Sequence, residues 1–287
     1  MLIRAGYRIT LECFRPTPIN VLLNVHPDRA HDLCSPDVVQ ITPPLASRKS
    51  RDAFGNDLVR VVAPAGEITF TNEFTIRDSG LPDVVAPDAR QVPVEALPDD
   101  ALQFLLPSRY CDSDGALSDH AWSLFHAYAG WARVQAICDH VHEAIRFSYQ
   151  DARRTRTASD ALSEGVGVCR DYAHLAVALC RAMNIPARYC TGYLGDIGIP
   201  PVDYPMDFSA WFEVFLEGRW FTFDARHNTP RIGRIVMARG RDAADVAITH
   251  TFGASQLREF TVVTDEIVEQ REKAGPTAAP HRLAAAE

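Results

Sequence analysis

Alternating apolar and polar positions dominate the start of the chain. Tyr7, Ile9, Leu11 and Cys13 alternate with Arg8, Thr10 and Glu12, the period of two that marks a half-buried strand. Residues 21–25 form a second apolar run. Residues 58–63 and 67–77 form two more, joined by Pro64-Ala65-Gly66, which has the chemistry of a hairpin turn. Asp52 to Asn56 reads as another turn. The pattern predicts an antiparallel β domain over residues 1–78.

The period then changes. Residues 79–98 hold Pro82, Pro87, Pro93 and Pro98, too many prolines for regular pairing, and read as a linker. Helical spacing follows over 118–126 and over 131–145, where Val134, Ile137, Val141 and Ile145 share a face. The clearest helix is 169–183, with Tyr172, Ala173, Leu175, Ala176, Leu179 and Met183 as a broad apolar face. Pro186 disfavours helix in the residue before it and ends the segment. Strands are expected at 187–194, 208–216 and 220–224, with Glu217-Gly218 as a hairpin turn, and a last one at 251–263. The segment 99–271 therefore forms a mixed core, and 272–287 a frayed tail. The fold class is α+β.

Composition adds limits. The 287 residues are 47% hydrophobic and 23% charged, with a net charge of -8. Acidic and basic residues are mixed, so no track for nucleic acid is built. No apolar run approaches the roughly 20 residues that span a bilayer, and none near the N-terminus has signal-peptide length. Seven scattered cysteines suggest neither a disulfide framework nor a zinc site. A cytoplasmic protein, without membrane or nucleic-acid partners, is the expectation.

Gly165-Val166-Gly167-Val168-Cys169-Arg170-Asp171-Tyr172 concentrates the chemistry. A glycine-flexed loop delivers Cys169 to the first turn of a helix whose unpaired N–H groups carry partial positive charge. A thiolate there is stabilised, with a pKa below about 8.5, and the same N–H groups suit an oxyanion. Cysteine is also among the most buried residue types, so a buried thiol at a helix start fits the spacing equally well.

Several motifs resemble, in order, the bacterial transglutaminase-like proteins. A cysteine opens a helix, Asn184-Ile185-Pro186-Ala187-Arg188 makes the following turn, and a strand ends in Gly192-Tyr193. A hairpin follows, Phe208-Ser209-Ala210-Trp211-Phe212-Glu213-Val214, then Gly218 to Ala225 with Asp224 at its end. The strands around Arg51 to Asn56 are similar to the β domain that precedes this core in bacterial members, so the resemblance covers roughly residues 2–265. It implies a papain-like core and a Cys-His-Asp site that attacks amide carbonyls of a protein or peptide substrate and releases a thioester to water or an amine. Cys169 matches the nucleophile and Asp224 the orienting acid, expected opposite position 209 across the hairpin. Tyr193, Trp211 and Arg170 are candidates for the cleft. Some animal members use calcium; no EF-hand-like loop occurs here, and no metal or other cofactor is expected.

The family histidine is Ser209. A hydroxyl cannot take up a proton near neutral pH, and losing a general acid–base costs about 10²–10⁴ in rate. Asp224 then needs another donor, with Ser209 and Arg226 as candidates. His227 is a substitute base if a turn at Ala225-Arg226 folds it back towards Asp224. His174 lies about 140° round the helix from Cys169 and is expected in the core. His120-Ala121-Trp122 repeats the missing tripeptide by coincidence, and Cys138, His140 and His142 do not close a zinc site. Two functions follow: a thiol acyl-transfer enzyme, or an impaired relative that keeps the cleft as a peptide-binding module.

Overall fold

The computed structural model describes residues 1–200, 202 and 206–268. The expected tail at 272–287 lies outside the described residues.

Two four-stranded sheets face each other at the N-terminal end. One has the order β14-β1-β6-β3, from Ser255–Glu266 (β14), Leu2–Cys13 (β1), Gly66–Arg77 (β6) and Gln40–Thr42 (β3). The other is β13-β2-β5-β4, from Thr249–Thr251 (β13), Thr17–Val21 (β2), Asp57–Ala63 (β5) and Ser47–Arg51 (β4). Their inner faces share one core in which Ile9 and Phe70 of the first sheet pack with Ile19 and Val61 of the second. The run expected as a strand at 21–25 pairs earlier, over Thr17–Val21. The chain leaves the sheet because the Val25 N–H turns to the Asp37 carboxylate at 2.7 Å. The last strand appears near its expected place but joins β1 of the first sheet rather than the core that precedes it.

The second unit is a helical layer on a sheet of order β11-β10-β9-β12, from Arg219–Phe223 (β11), Ser209–Leu216 (β10), Ala187–Tyr193 (β9) and Ile235–Gly240 (β12). Strand β12 had no separate prediction. Its six residues, five of them buried, show no alternation because the strand is covered on both faces. Among the described residues five α-helices accompany the sheet: Asp99–Leu102 (α1), Ala116–Phe125 (α2), Gly130–Ala144 (α3), Ala158–Glu164 (α4) and Cys169–Ala182 (α5). A parallel pair of two-residue strands, Arg146–Phe147 (β7) and Val166–Gly167 (β8), leads into α5.

Helix α5 is the centre of this unit. Every residue from Asp171 to Ala182 is buried, which exceeds the one-sided burial of a surface helix. Leu175, Leu179 and Met183 meet α2, α3 and the β10 residues Phe212 and Val214 in one core. The helix stops where Asn184 takes a positive φ of 58° and Ile185-Pro186 begins the approach to β9. Residues 79–98 run irregularly beside this unit, touching it through a bridge from Gln91 to Leu216 and through Asp83.

Candidate active site

Two glycines present Cys169. Gly165, with φ of 61°, closes α4 in the left-handed conformation that a glycine adopts at least cost. A Cβ on Gly167 would lie 2.6 Å from Cβ of Asp171, so a bare backbone is needed there. Asp171 fills that space, and its Oδ2 accepts the Val168 N–H at 2.9 Å. It caps the helix start, as its position suggests, and is itself buried against Arg156 at 3.1 Å.

Cys169 is half-buried and lines a groove of about 450 Å³ together with Tyr189, Thr191, Asp207, Phe208 and Ser209. The thiol is not activated as its helix position predicts. Burial pushes its pKa up to about 11; Arg226 and a hydrogen bond from the Ala210 N–H oppose the rise, while Asp207 and Asp224 add to it. Desolvation and two carboxylates outweigh the helix terminus here.

Ser209 starts β10, opposite Gly192 of β9. It is 5% exposed, and its hydroxyl has no hydrogen-bond partner among the described residues. Position 209 thus does face the thiol's groove, carrying an idle hydroxyl.

Asp224 follows β11. The ladder with β10 ends at Phe212–Phe223, so Asp224 comes next to Trp211 in the register and not across from Ser209. Of the donors expected for it from the sequence, Ser209 makes no such bond and Arg226 supplies its backbone N–H. Arg234 Nη2 and His227 Nδ1 both lie 2.8 Å from its Oδ2. The backbone N–H groups of Arg226 and His227 donate to Oδ1 at 3.1 and 3.0 Å. Burial disfavours the charge, but Arg234 and His227 hold the carboxyl well below the usual carboxylate range. Sequence reasoning missed Arg234 because it is ten residues away and reaches Asp224 only through the course of the chain into β12. It also missed Asp207, whose carboxyl burial raises despite the Phe208 N–H and Arg226.

His227 is brought onto Asp224 by one helical turn, closed by Asn228 N–H donating to the Asp224 carbonyl at 2.8 Å. Its ring borders a second cavity, of about 180 Å³, lined also by Asp207, Phe208 and Ser209. The three shared residues form the partition between His227 and the Cys169 groove.

Other candidates fall elsewhere. Tyr193 is fully buried, with rings of Phe74 and Phe208 at 5.6 and 5.0 Å, and lines no cleft. Trp211 is 2% exposed and packs with Cys190 and Val236 under the Arg234 guanidinium, 5.1 Å from its ring centre. Both were expected in the cleft; as inward residues of central strands they belong to cores. Arg170 does line the groove, yet its guanidinium is engaged by the carbonyls of Arg153 and Arg154 and by Asp171. His174 is buried in the core, its Nε2 accepting the Ala243 N–H at 3.1 Å. Cys138 lies in the core around α5, and His142 bonds the carbonyls of Ala225 and Arg226.

Known proteins place this arrangement. The transglutaminase-like superfamily model matches residues 116–225, which contain Cys169, Ser209 and Asp224. A solved structure from Cytophaga hutchinsonii, provisionally named a cysteine protease, is 30% identical, covers 95% of this chain and 92% of its own, and superposes with a TM-score of 0.79. Uncharacterized proteins of Mycobacterium leprae and Mycobacterium tuberculosis are 34% and 36% identical over 31% and 32% of this chain. The chain spans about a third of the length of these mycobacterial relatives, 32% and 34%. The full-length match to the Cytophaga protein and the core match together mean that the chain belongs to the transglutaminase-like superfamily, a family of cysteine-dependent enzymes.

Proposed function

We propose that the chain is a thiol acyl-transfer enzyme that hydrolyses peptide or isopeptide amides through a Cys169 thioester, with the Asp224–His227 pair handling protons in place of a histidine at 209. The observation that carries this reading is the 2.8 Å bond from His227 Nδ1 to Asp224 Oδ2, in a cavity separated from the Cys169 groove by Ser209, Asp207 and Phe208. A carboxylate on Nδ1 leaves Nε2 as the atom that exchanges protons. The Ser209 hydroxyl, at once donor and acceptor, makes no hydrogen bond among the described residues; in the reaction it must close on both groups, taking the thiol proton as it passes its own to His227 Nε2. The Cys169 sulfur then bonds to the amide carbon. The C–N bond breaks, and the leaving nitrogen collects the proton held by His227. Water attacks the thioester carbon, gives a proton back through the same pair, and frees the acid and the thiol. The N–H groups at the start of α5 suit the oxyanion.

The test compares wild type, Cys169→Ala, His227→Gln and Ser209→Ala on a peptide and isopeptide library, with single-turnover kinetics and mass detection of the acyl-enzyme. Loss of turnover in Cys169→Ala and His227→Gln, with wild type active, supports the reading. Equal turnover in wild type and Cys169→Ala rejects it. A second reading, a peptide-binding module without turnover, is favoured by the thiol pKa of about 11; it predicts binding without acylation in wild type, and acylation on introducing Ser209→His.

A further inference from the structure

The groove over Cys169 is walled on one side by the first sheet. Strands β1 and β14 pair in antiparallel register, Ile9 opposite Phe260 and Leu11 opposite Leu257. Leu257 and Phe260 are three residues apart, so in a regular strand they would point to opposite faces. The register shifts between Thr10 and Leu11, whose partners are Glu259 and Leu257, and Arg258 is passed over. This is a β-bulge. An extra residue re-aims the side chain that follows it, and bulges are over-represented beside active sites. Here the bulge turns Leu257 to the face that carries Phe260, Ile9 and Leu11, and all four line the Cys169 groove.

Ile9 and Leu11 are buried, whereas Leu257 and Phe260 remain 47% and 37% exposed. Phe260 is braced edge-on by Phe208, with ring centres 5.8 Å apart. Two large apolar side chains held open on a concave wall, next to a nucleophile, mark a binding surface more than a scatter of exposed residues. The groove's volume of about 450 Å³ falls within the roughly 300–1,000 Å³ of small-ligand sites. Arg154 also lines the groove. It is exposed and makes no ion pair among the described residues, in contrast to Arg170 beside it.

We infer that this groove selects peptide segments bearing a bulky aliphatic or aromatic side chain next to a carboxylate, the apolar group resting on Leu257 and Phe260 and the carboxylate on Arg154. The inference rests on the proposed acyl-transfer site and names its substrate class. The β-sandwich is then the specificity element of the core's active site.

Binding separates this idea from turnover. Fluorescein-labelled hexapeptide pools are titrated by anisotropy into the Cys169→Ala protein. One pool pairs leucine or phenylalanine with glutamate; control pools carry serine in place of the apolar residue, or lysine in place of glutamate. The apolar-acidic pool should bind at least tenfold tighter than either control. Leu257→Ser with Phe260→Ser should remove the apolar preference tenfold or more, and Arg154→Ala should remove the acidic preference alone. Equal affinity across pools, no binding of any pool, or an unchanged preference in a folded double variant would overturn the inference. Preferred pools that bind but are never cleaved by wild type would overturn the hydrolase reading and leave the groove's selectivity standing.

Discussion

Restoring a histidine at position 209 gives the sharpest measure of what the site lacks. The Cys169 thiol is pushed up to about 11. At pH 7 that is four units below its pKa, so only about one thiol in 10⁴ is ionised, against about three in a hundred for an ordinary cysteine of pKa about 8.5. The more basic thiolate is a better nucleophile, with a Brønsted slope of about 0.4–0.5 that returns roughly tenfold of the deficit. Cys169 should therefore alkylate about 30-fold more slowly than free cysteine at pH 7, before access is considered. In Ser209→His, an imidazolium beside the sulfur should bring the pKa into the range of about 3.5–7.5 found for such pairs. The thiolate fraction then rises by about three to four powers of ten, the slope removes about two, and alkylation at pH 7 should speed up about 10²-fold. The cavities on either side of Ser209 give the larger ring room to sit. The assay is iodoacetamide labelling from pH 6 to 10, read by intact mass and peptide mapping. It uses a Cys34→Ser background, since Cys34 is exposed. Wild type should gain close to tenfold per pH unit throughout, and Ser209→His should level off near neutrality. A flat wild-type profile, or identical profiles for two equally folded proteins, would refute the claim that ionisation limits this thiol.

Other outcomes follow from the same geometry. Arg234→Met leaves the buried Asp224 carboxylate held by the His227 ring and two backbone N–H groups and should cost about 3–5 kcal/mol in urea unfolding, the range for a broken buried pair. His227→Gln keeps Arg234 on Asp224, so it should lower turnover by about 10²–10⁴ with little loss of stability; a large drop in stability without a rate effect would make His227 structural. The Asp224 pKa is depressed in the folded state. Its stabilising contribution is therefore complete above the unfolded value of about 3.9 and is lost as pH falls through the lower folded value. The stability gap between wild type and Asp224→Asn should be constant from pH 5 to 8 and shrink only below about pH 4. In the core, Leu175→Ala removes a fully buried side chain of α5 and should cost about 2–5 kcal/mol by thermal or urea unfolding.

Much was already written in the order of residues. The alternation at Tyr7 to Cys13, the apolar face of 169–183 and the turn at Glu217-Gly218 are local signals, set by how far apart side chains fall on a strand, a helix or a hairpin. They placed β1, α5 and the β10–β11 hairpin and put Cys169 at a helix start. The turn that returns His227 to Asp224 is equally local, three residues closed by one backbone bond.

Long-range placement needed the folded chain. No spacing rule tells that β14 returns to β1, that its bulge turns Leu257 into the groove, or that Arg234 reaches Asp224. These depend on contacts between segments distant in sequence, whose cost and gain are settled only when the core closes. The thiol shows the difference most plainly. A helix terminus is a local feature and argues for an ionised sulfur, but burial and the charges of Asp207 and Asp224 are properties of the assembled site, and they outweigh Arg226 and keep Cys169 protonated.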